Sequence, residues 1–433
     1  MKIVIIIQYD NNNMLKDTII NQKNEKTQLL SKSYVERERT AEAQKHIEND
    51  LIKVVTGPRR AGKSVFSLLL LKDKPFAYLN FDEESLIKTK DHNEILQEII
   101  SVYGKTKFFL FDEIQNIADW ELFANSLHRQ GYNLLLTGSN ARLLSKELAT
   151  SLTGRHVPIE ILPFSFREFL KAKQFNYAGD ELKVLEIKGK LLNYLGVFMI
   201  NGGFPELVVK DLDPKGYLDT LLDSLLFKDI VKRYHLRFPQ KIYDLLLYLI
   251  NDPCSEISYQ RLSRTLGFNS AMTLEKYLGY LEEAYLVFTL GRFSFKTGER
   301  LRSPKKIFVV DNGYIAAKAV SFSPNYGKLM ENLVFTELVK KGSKPNRDLF
   351  YYKTRNQKEV DFALKEGLKI TKLIQVSYDY SNVETQQREI KSLAEAAGEL
   401  NCDDLMIITW DQAGEETFKG KKIILMPLWQ WLI

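Results

Sequence analysis

The sequence predicts a multidomain α/β protein that opens on a mostly parallel, helix-covered sheet built around a phosphate-binding loop. Three observations carry that prediction. Strand-like apolar segments alternate with amphipathic helical ones through about residue 165; a GxxxxGKS turn lies between one such strand and a helix; and a second apolar strand ends in two adjacent carboxylates. The chain has 433 residues, 45% of them hydrophobic, which is too long for one core. It divides into an N-terminal arm or helix (1–40), a nucleotide domain (41–165), a helical connector or lid (166–238), a winged helix-turn-helix (239–320) and a C-terminal α/β module (321–433).

Composition narrows the classes. Cys254 and Cys402 are the only cysteines, far apart and without a CxxC spacing, which argues against a disulfide framework or a structural zinc site and fits a reducing cytoplasm. The opening MKIVIII is followed at once by QYDNNN, too short for a signal-peptide core, and no later run of about 18 apolar residues occurs, so a soluble protein without a membrane partner is expected. Met14 begins a polar, helix-like segment, which leaves residues 1–13 as either an upstream start or a dangling arm. The net charge of +6 permits nucleic-acid binding without requiring it. Its distribution is uneven: Arg292 to Lys306 holds six basic residues and one acid, interleaved with Phe293 and Phe295.

The strongest motif follows the apolar strand Leu51 to Val55. Gly57, Pro58, Arg59, Arg60, Ala61, Gly62, Lys63 and Ser64 form a P-loop in strand–loop–helix context. The glycines let backbone N–H groups turn inward around phosphate oxygens, and the helix N-terminus adds its dipole. Lys63 is then expected on the β- and γ-phosphates of ATP and Ser64 on Mg²⁺. The strand KFFLFDEIQ ends about 50 residues later in Asp112 and Glu113. In a buried strand such a pair calls for a metal: Asp112 holds Mg²⁺, often through water, and Glu113 polarises the attacking water. A third strand, YNLLLTGSN, ends in Thr137, Ser139 and Asn140, which either sense the γ-phosphate or are ordinary turn residues.

The order GPRRAGKS, FDEIQNIADWE, LLLTGSN and LTGRHVPIEILPFSFREFL, with the later NGGFPE, RSPKKIFVVDNGYIA, ENLVFTEL and KEVDFAL, resembles the archaeal and bacterial AAA-type ATP-binding proteins whose C-terminal part is a domain of unknown function. The resemblance spans nearly the whole chain after residue 14. It implies a P-loop NTPase (AAA-like) fold with an extra strand between the P-loop and carboxylate strands, and ATP hydrolysis. It also points to Arg155, in TGRH, as an arginine that meets the γ-phosphate in cis or from a neighbour in an oligomer, with Arg142 as the second choice.

Residues 239–295 read in the order of a winged helix-turn-helix, supported by Gly267 and the spacing of Leu262, Leu266, Leu274, Leu278 and Leu281. Such a module can place its second helix in a DNA groove and its wing on phosphates without sequence preference. It serves equally as a protein-binding piece, and the candidate recognition helix carries Glu275, Glu282 and Glu283 against Lys276. Farther on, Glu331 on a helix, Asp361 on a strand and a third strand after it resemble the restriction-endonuclease core, which implies Asp and Glu-x-Lys around Mg²⁺. The Glu-x-Lys slot reads Gln375-Val376-Ser377. A vestigial nuclease site is therefore expected at Glu331, Asp361, Gln375 and Ser377, with Lys353, Lys358 or Lys372 as lysines able to have moved into the role. Two functions follow: a nucleotide-driven switch with a partner-binding C-terminal module, or an ATP-gated protein that binds or processes DNA.

Overall fold

A computed structural model describes residues 2–139, 154–177, 179, 181–318 and 325–433, with 2–13 described by backbone alone. The chain forms two compact units, Met1–Leu162 and Pro163–Ile433. The division falls three residues before the expected end of the nucleotide domain, and the three segments expected after it lie together in the second unit.

The first unit is a five-stranded parallel sheet, β1 (Ile52–Thr56), β2 (Phe76–Asn80), β3 (Phe108–Asp112), β4 (Asn133–Gly138) and β5 (His156–Glu160), in the order β2-β3-β4-β1-β5. The strands β1, β3 and β4 are buried along their whole length, as continuous apolar runs covered on both faces must be. β4 separates the P-loop strand from the carboxylate strand, which is the extra strand anticipated above. Helix α1 (Lys2–Leu30) places Leu15 and Ile19 in the same core as Ile52, Val54 and Leu79. The Gln22 amide ties it to β2, donating to the Asn80 carbonyl at 2.9 Å and accepting the Asn80 N–H at 3.0 Å. The sheet is further covered by α2 (Lys63–Leu70), α3 (His92–Tyr103) and α4 (Trp120–Arg129). α3 starts where the Asp91 carboxylate caps the Asn93 N–H, and stops at Gly104, whose φ is 70°.

The second unit begins with α5 (Phe166–Ala172), held by a reciprocal Ser165–Glu168 capping box, then α6 (Leu185–Asn201) and α7 (Pro214–Ser224). There follow α8 (Pro239–Asn251), β6 (Glu256–Ile257), α9 (Tyr259–Thr265), α10 (Ala271–Glu283), β7 (Val287–Gly291), the short α11 (Thr297–Arg302) and β8 (Lys305–Val309). The three strands pair antiparallel in the order β6-β8-β7. Helix α12 (Tyr326–Lys340) leads to β9 (Leu349–Lys353), β10 (Glu359–Glu366) and β11 (Lys369–Ser377). After α13 (Val383–Leu400) come β12 (Leu405–Thr409), β13 (Gly414–Phe418) and β14 (Lys421–Pro427). These strands form one sheet in the order β13-β14-β12-β11-β10-β9.

Several motifs of this unit prove to be one buried network. Asp311 accepts the Gly203 N–H and the Gly313 N–H, each at 2.9 Å. Asn312 donates to the carbonyls of Met199 at 2.7 Å and Leu329 at 2.8 Å, and Asn332 donates to Asn312 at 2.8 Å. A Cβ on Gly202 would stand 1.5 Å from the Asp311 carboxylate, so the NGG turn has no room for a side chain. The aspartate and asparagine of VVDNGY, Asn332 of ENLVF and the backbone of the NGG turn thus satisfy one another's buried donors and acceptors, which is a structural duty.

Candidate functional site: the P-loop and a buried carboxylate cluster

The P-loop leaves the end of β1 with Gly57 at φ 147°, where a Cβ would stand 1.9 Å from the Ile161 carbonyl oxygen, so glycine is required by both backbone and space. Arg60 and Gly62 also take positive φ, 67° and 90°, which bends the loop over the start of α2. Lys63, the first residue of α2, is 4% exposed; its ammonium donates to the Pro58 carbonyl at 3.0 Å and stands 3.9 Å from Glu113 Oε1. The Ser64 hydroxyl donates to Asp112 Oδ1 at 3.0 Å, and the Thr137 hydroxyl donates to the same oxygen. The Glu113 N–H in turn donates to Thr137 Oγ1 at 3.1 Å, and Gln115 donates to Glu113 Oε2 at 2.5 Å. Three strand ends, β1, β3 and β4, therefore deliver one cation, two carboxylates and two hydroxyls to one spot.

Burial and the neighbouring Glu113 push the Asp112 carboxyl up to about 6, against the hydroxyls of Thr137 and Ser64 and the charge of Lys63. Burial also works against the charge of Glu113, but Lys63, Gln115, Arg59 and the Ser139 side chain outweigh it and hold that carboxyl below its usual range. Ser139 is thus drawn to Glu113. Asn140 and Arg142 lie outside the described residues. Arg155 is exposed, and its carbonyl accepts the Ile52 N–H at 3.0 Å, so it stands by the beginning of β1 whereas the P-loop follows that strand's other end. Sequence reasoning missed Arg37. Buried beneath the loop, it donates to the Ala61 carbonyl at 2.8 Å and to the Leu162 carbonyl at 2.5 Å. Nothing in the polar stretch YVERERT marks it out.

The second cluster lies wholly within the second unit. Lys306 on β8 is 2% exposed, and its ammonium lies 2.6 Å from Glu359, 2.7 Å from Glu331 and 3.5 Å from Asp361. Burial disfavours the charge of Lys306, but the three carboxylates hold its pKa well above the ordinary value. Burial pushes Glu331 up to about 7 against the pull of Lys306, and raises Asp361 in the same way. Of the three anticipated lysines, Lys353 reaches only the cluster's edge, pairing with Glu256 at 2.7 Å and Glu359 at 3.6 Å, while Lys358 pairs with Glu395 at 2.9 Å and Lys372 with Asp404 at 3.2 Å. Lys306, the last residue of the basic run that begins at Arg292, points inward to these carboxylates. Gln375 and Ser377 are both buried. Gln375 Oε1 accepts the Asp361 N–H at 3.2 Å, while Asp361 Oδ2 accepts the Val376 N–H at 2.9 Å. The neutral amide on this core strand thus pins the residue that carries the carboxylate. Among the described residues no group of three or more His, Cys, Asp or Glu is arranged to hold a metal ion.

The parallel sheet with its P-loop, the carboxylate strand one place removed and the intervening β4 define a P-loop ATPase fold of the AAA type. Residues 49–170 match the AAA domain family, and residues 194–324 and 326–431 match two separate domains of unknown function. The chain belongs to the family of archaeal and bacterial AAA-type ATP-binding proteins that carry such domains after the P-loop domain. It is 39% identical over 398 residues to an uncharacterized protein of Methanocaldococcus jannaschii, MJ1544, covering 88% of both chains. It is 32% identical over 351 residues to an uncharacterized protein of Haemophilus influenzae, covering 77% of this chain and 84% of that one. Among solved structures it is similar to the Walker-type ATPase PABY2304 of Pyrococcus abyssi, with a TM-score of 0.43 and 15% identity over 66% of this chain and 96% of that one. The AAA-type P-loop domain is a nucleotide-binding fold. No helix among the described residues is long and apolar enough to cross a membrane.

Proposed function

We propose that the protein is a Mg²⁺-dependent ATP hydrolase that works as a nucleotide-driven switch, its second unit being a partner-binding module. The observation that carries this reading is the meeting of Lys63, Ser64, Asp112 and Glu113. Ser64 and Asp112 already share a hydrogen bond and fit the two protein contacts of a magnesium ion, which when bound would neutralise phosphate charge. Gly57 to Ser64 would cradle the phosphates, with Lys63 as their counter-ion. In the present arrangement Lys63 faces Glu113 across 3.9 Å. A phosphate taking the ammonium would remove from Glu113 the cation that holds its pKa down, and so leave the carboxylate a better acceptor for a proton from attacking water. Ser139, drawn to that carboxylate, would report the change to the end of β4. Arg155 stands away from the loop and would serve a neighbouring copy rather than its own. Nucleotide titration and phosphate release in the wild type and in Lys63→Ala test the reading.

The buried Lys306 cluster supports a second unit that does not cleave nucleic acid. A hydrolytic site needs room for a hydrated cation and a water beside the carboxylates. Here an ammonium 2% exposed stands among them, closed from solvent. A second reading, in which ATP binding gates engagement of DNA, draws on the helix–strand–helix–helix–strand–helix–strand order of residues 239–309, which resembles a winged helix with the short α11 in the place of the wing. Its candidate recognition helix α10 spends Leu274, Tyr277, Leu278 and Leu281 on the core.

A further inference from the structure

Two neighbouring grooves open within the second unit and share Arg355 and Glu399 where they meet. One, of about 620 Å³, runs between the segment after β7 and the end of β9; the other, of about 680 Å³, follows α13. Cations outnumber carboxylates in both: Arg292, Lys296, Arg302 and Arg355 line the first, and Lys358, Lys391 and Lys419 continue along the second. The carboxylates are already engaged. Glu299 takes Lys296 at 2.9 Å, Glu395 takes Lys358 at 2.9 Å, and Glu399 accepts the Tyr352 hydroxyl at 2.6 Å and the Arg355 N–H at 3.1 Å. The charge left over along the track is positive.

The first groove also holds an aromatic out of place. Phe295 is 70% exposed, and its ring meets the buried Phe293 at 5.0 Å with an interplanar angle of 78°. A phenylalanine left in water among arginines and lysines forgoes the burial that usually accounts for it. Set in a cationic groove, it offers a flat apolar surface beside sites for negative charge.

We propose that this track binds single-stranded nucleic acid, with phosphates on Arg302, Arg355 and Lys391 and a base stacked on Phe295. A polyanion without bases would use the charges and leave Phe295 idle, and a duplex keeps its base faces stacked inside, so single strands answer both features. The inference rests on the reading of the second unit as a partner-binding module and does not use the candidate recognition helix α10.

The test uses the full chain and fluorescence anisotropy, with labelled oligothymidylate and oligouridylate of about twenty nucleotides, a hairpin duplex, and polyglutamate as competitor. Binding of the single strands at low salt is expected, at least about tenfold tighter than the duplex, and weakening as salt rises. Phe295→Ala should cost about fivefold or more at unchanged salt dependence, and Phe295→Trp should restore it. Arg355→Glu should lower the slope of log affinity against log salt by about one or more. The two oligonucleotides separate a DNA from an RNA ligand. Failure to bind at low salt, duplex binding as tight as single-strand binding, an unchanged affinity in Phe295→Ala, or capture of polyglutamate in preference to the oligonucleotides overturns the proposal. MgATP affinity, measured on the same samples, separates this outcome from a failure of the nucleotide site.

Discussion

The Lys306 ammonium on the last strand of the small antiparallel sheet lies 2.7 Å from Glu331 on the helix that opens the C-terminal module. Glu359 and Asp361 complete its surroundings. One cation therefore balances carboxylates from two other elements, and its loss leaves buried negative charge facing negative charge. Lys306→Met should destabilise the second unit by about 3–5 kcal/mol, the usual cost of removing one partner from a buried ion cluster. Urea unfolding followed by tryptophan fluorescence reads this directly, and adding Asp361→Asn should recover part of the loss. An unchanged urea midpoint in Lys306→Met would show that the cluster contributes nothing to the fold.

The same cluster sets a pH dependence. Burial raises Glu331 to about 7, against Lys306 and Lys328, with Asp361 acting in the direction of burial. A carboxyl whose folded pKa lies above its unfolded value binds more protons when folded, so its contribution to stability falls as pH rises between the two. Between about pH 4.5 and 7 the wild type should lose stability relative to Glu331→Gln. Parallel curves for the two proteins over that range, in unfolding experiments, would contradict the assignment.

Arg37 offers a prediction about the loop itself. Its guanidinium satisfies the Ala61 and Leu162 carbonyls from below, so Arg37→Ala strands two acceptors at roughly 1–3 kcal/mol each and frees the segment that carries Lys63. MgATP affinity should fall about tenfold or more while Glu113 remains in place. Unchanged affinity in a nucleotide titration would make Arg37 a bystander.

The full chain should not cleave single-stranded, duplex or branched DNA, or RNA, in Mg²⁺ or Mn²⁺. Lys306 fills the space between Glu331 and Asp361, and Gln375 supplies a neutral amide where a carboxylate would be needed. Cleavage that disappears in Asp361→Ala would show that the cluster opens and works.

How much of this was legible in the sequence depends on how local each signal is. The P-loop and Asp112-Glu113 could be read because glycines at fixed spacing and a carboxylate pair ending an apolar strand impose their geometry over a few residues. The strands carrying Asp361 and Gln375 were legible for the same reason. Lys306 was not: it sits in a basic run, and only the pairing of β8 with β7 and the approach of α12 turn it inward. Arg37 acts on residues 24 and 125 positions away, a separation that no local pattern records. The hairpin β13–β14 escaped because its first strand, GEETF, is polar and lies at the sheet edge, where no apolar alternation is needed.

The most direct measurement is ATP binding and phosphate release by the wild type, Lys63→Ala and Glu113→Gln side by side. The wild type should bind MgATP and turn it over. Lys63→Ala should lose about tenfold or more in affinity because a phosphate charge loses its buried cation. Glu113→Gln should bind at least as tightly as the wild type and hydrolyse about a hundredfold more slowly, since the proton acceptor is gone and the binding cation remains. Binding and turnover left unchanged by Lys63→Ala would contradict the P-loop as the nucleotide site.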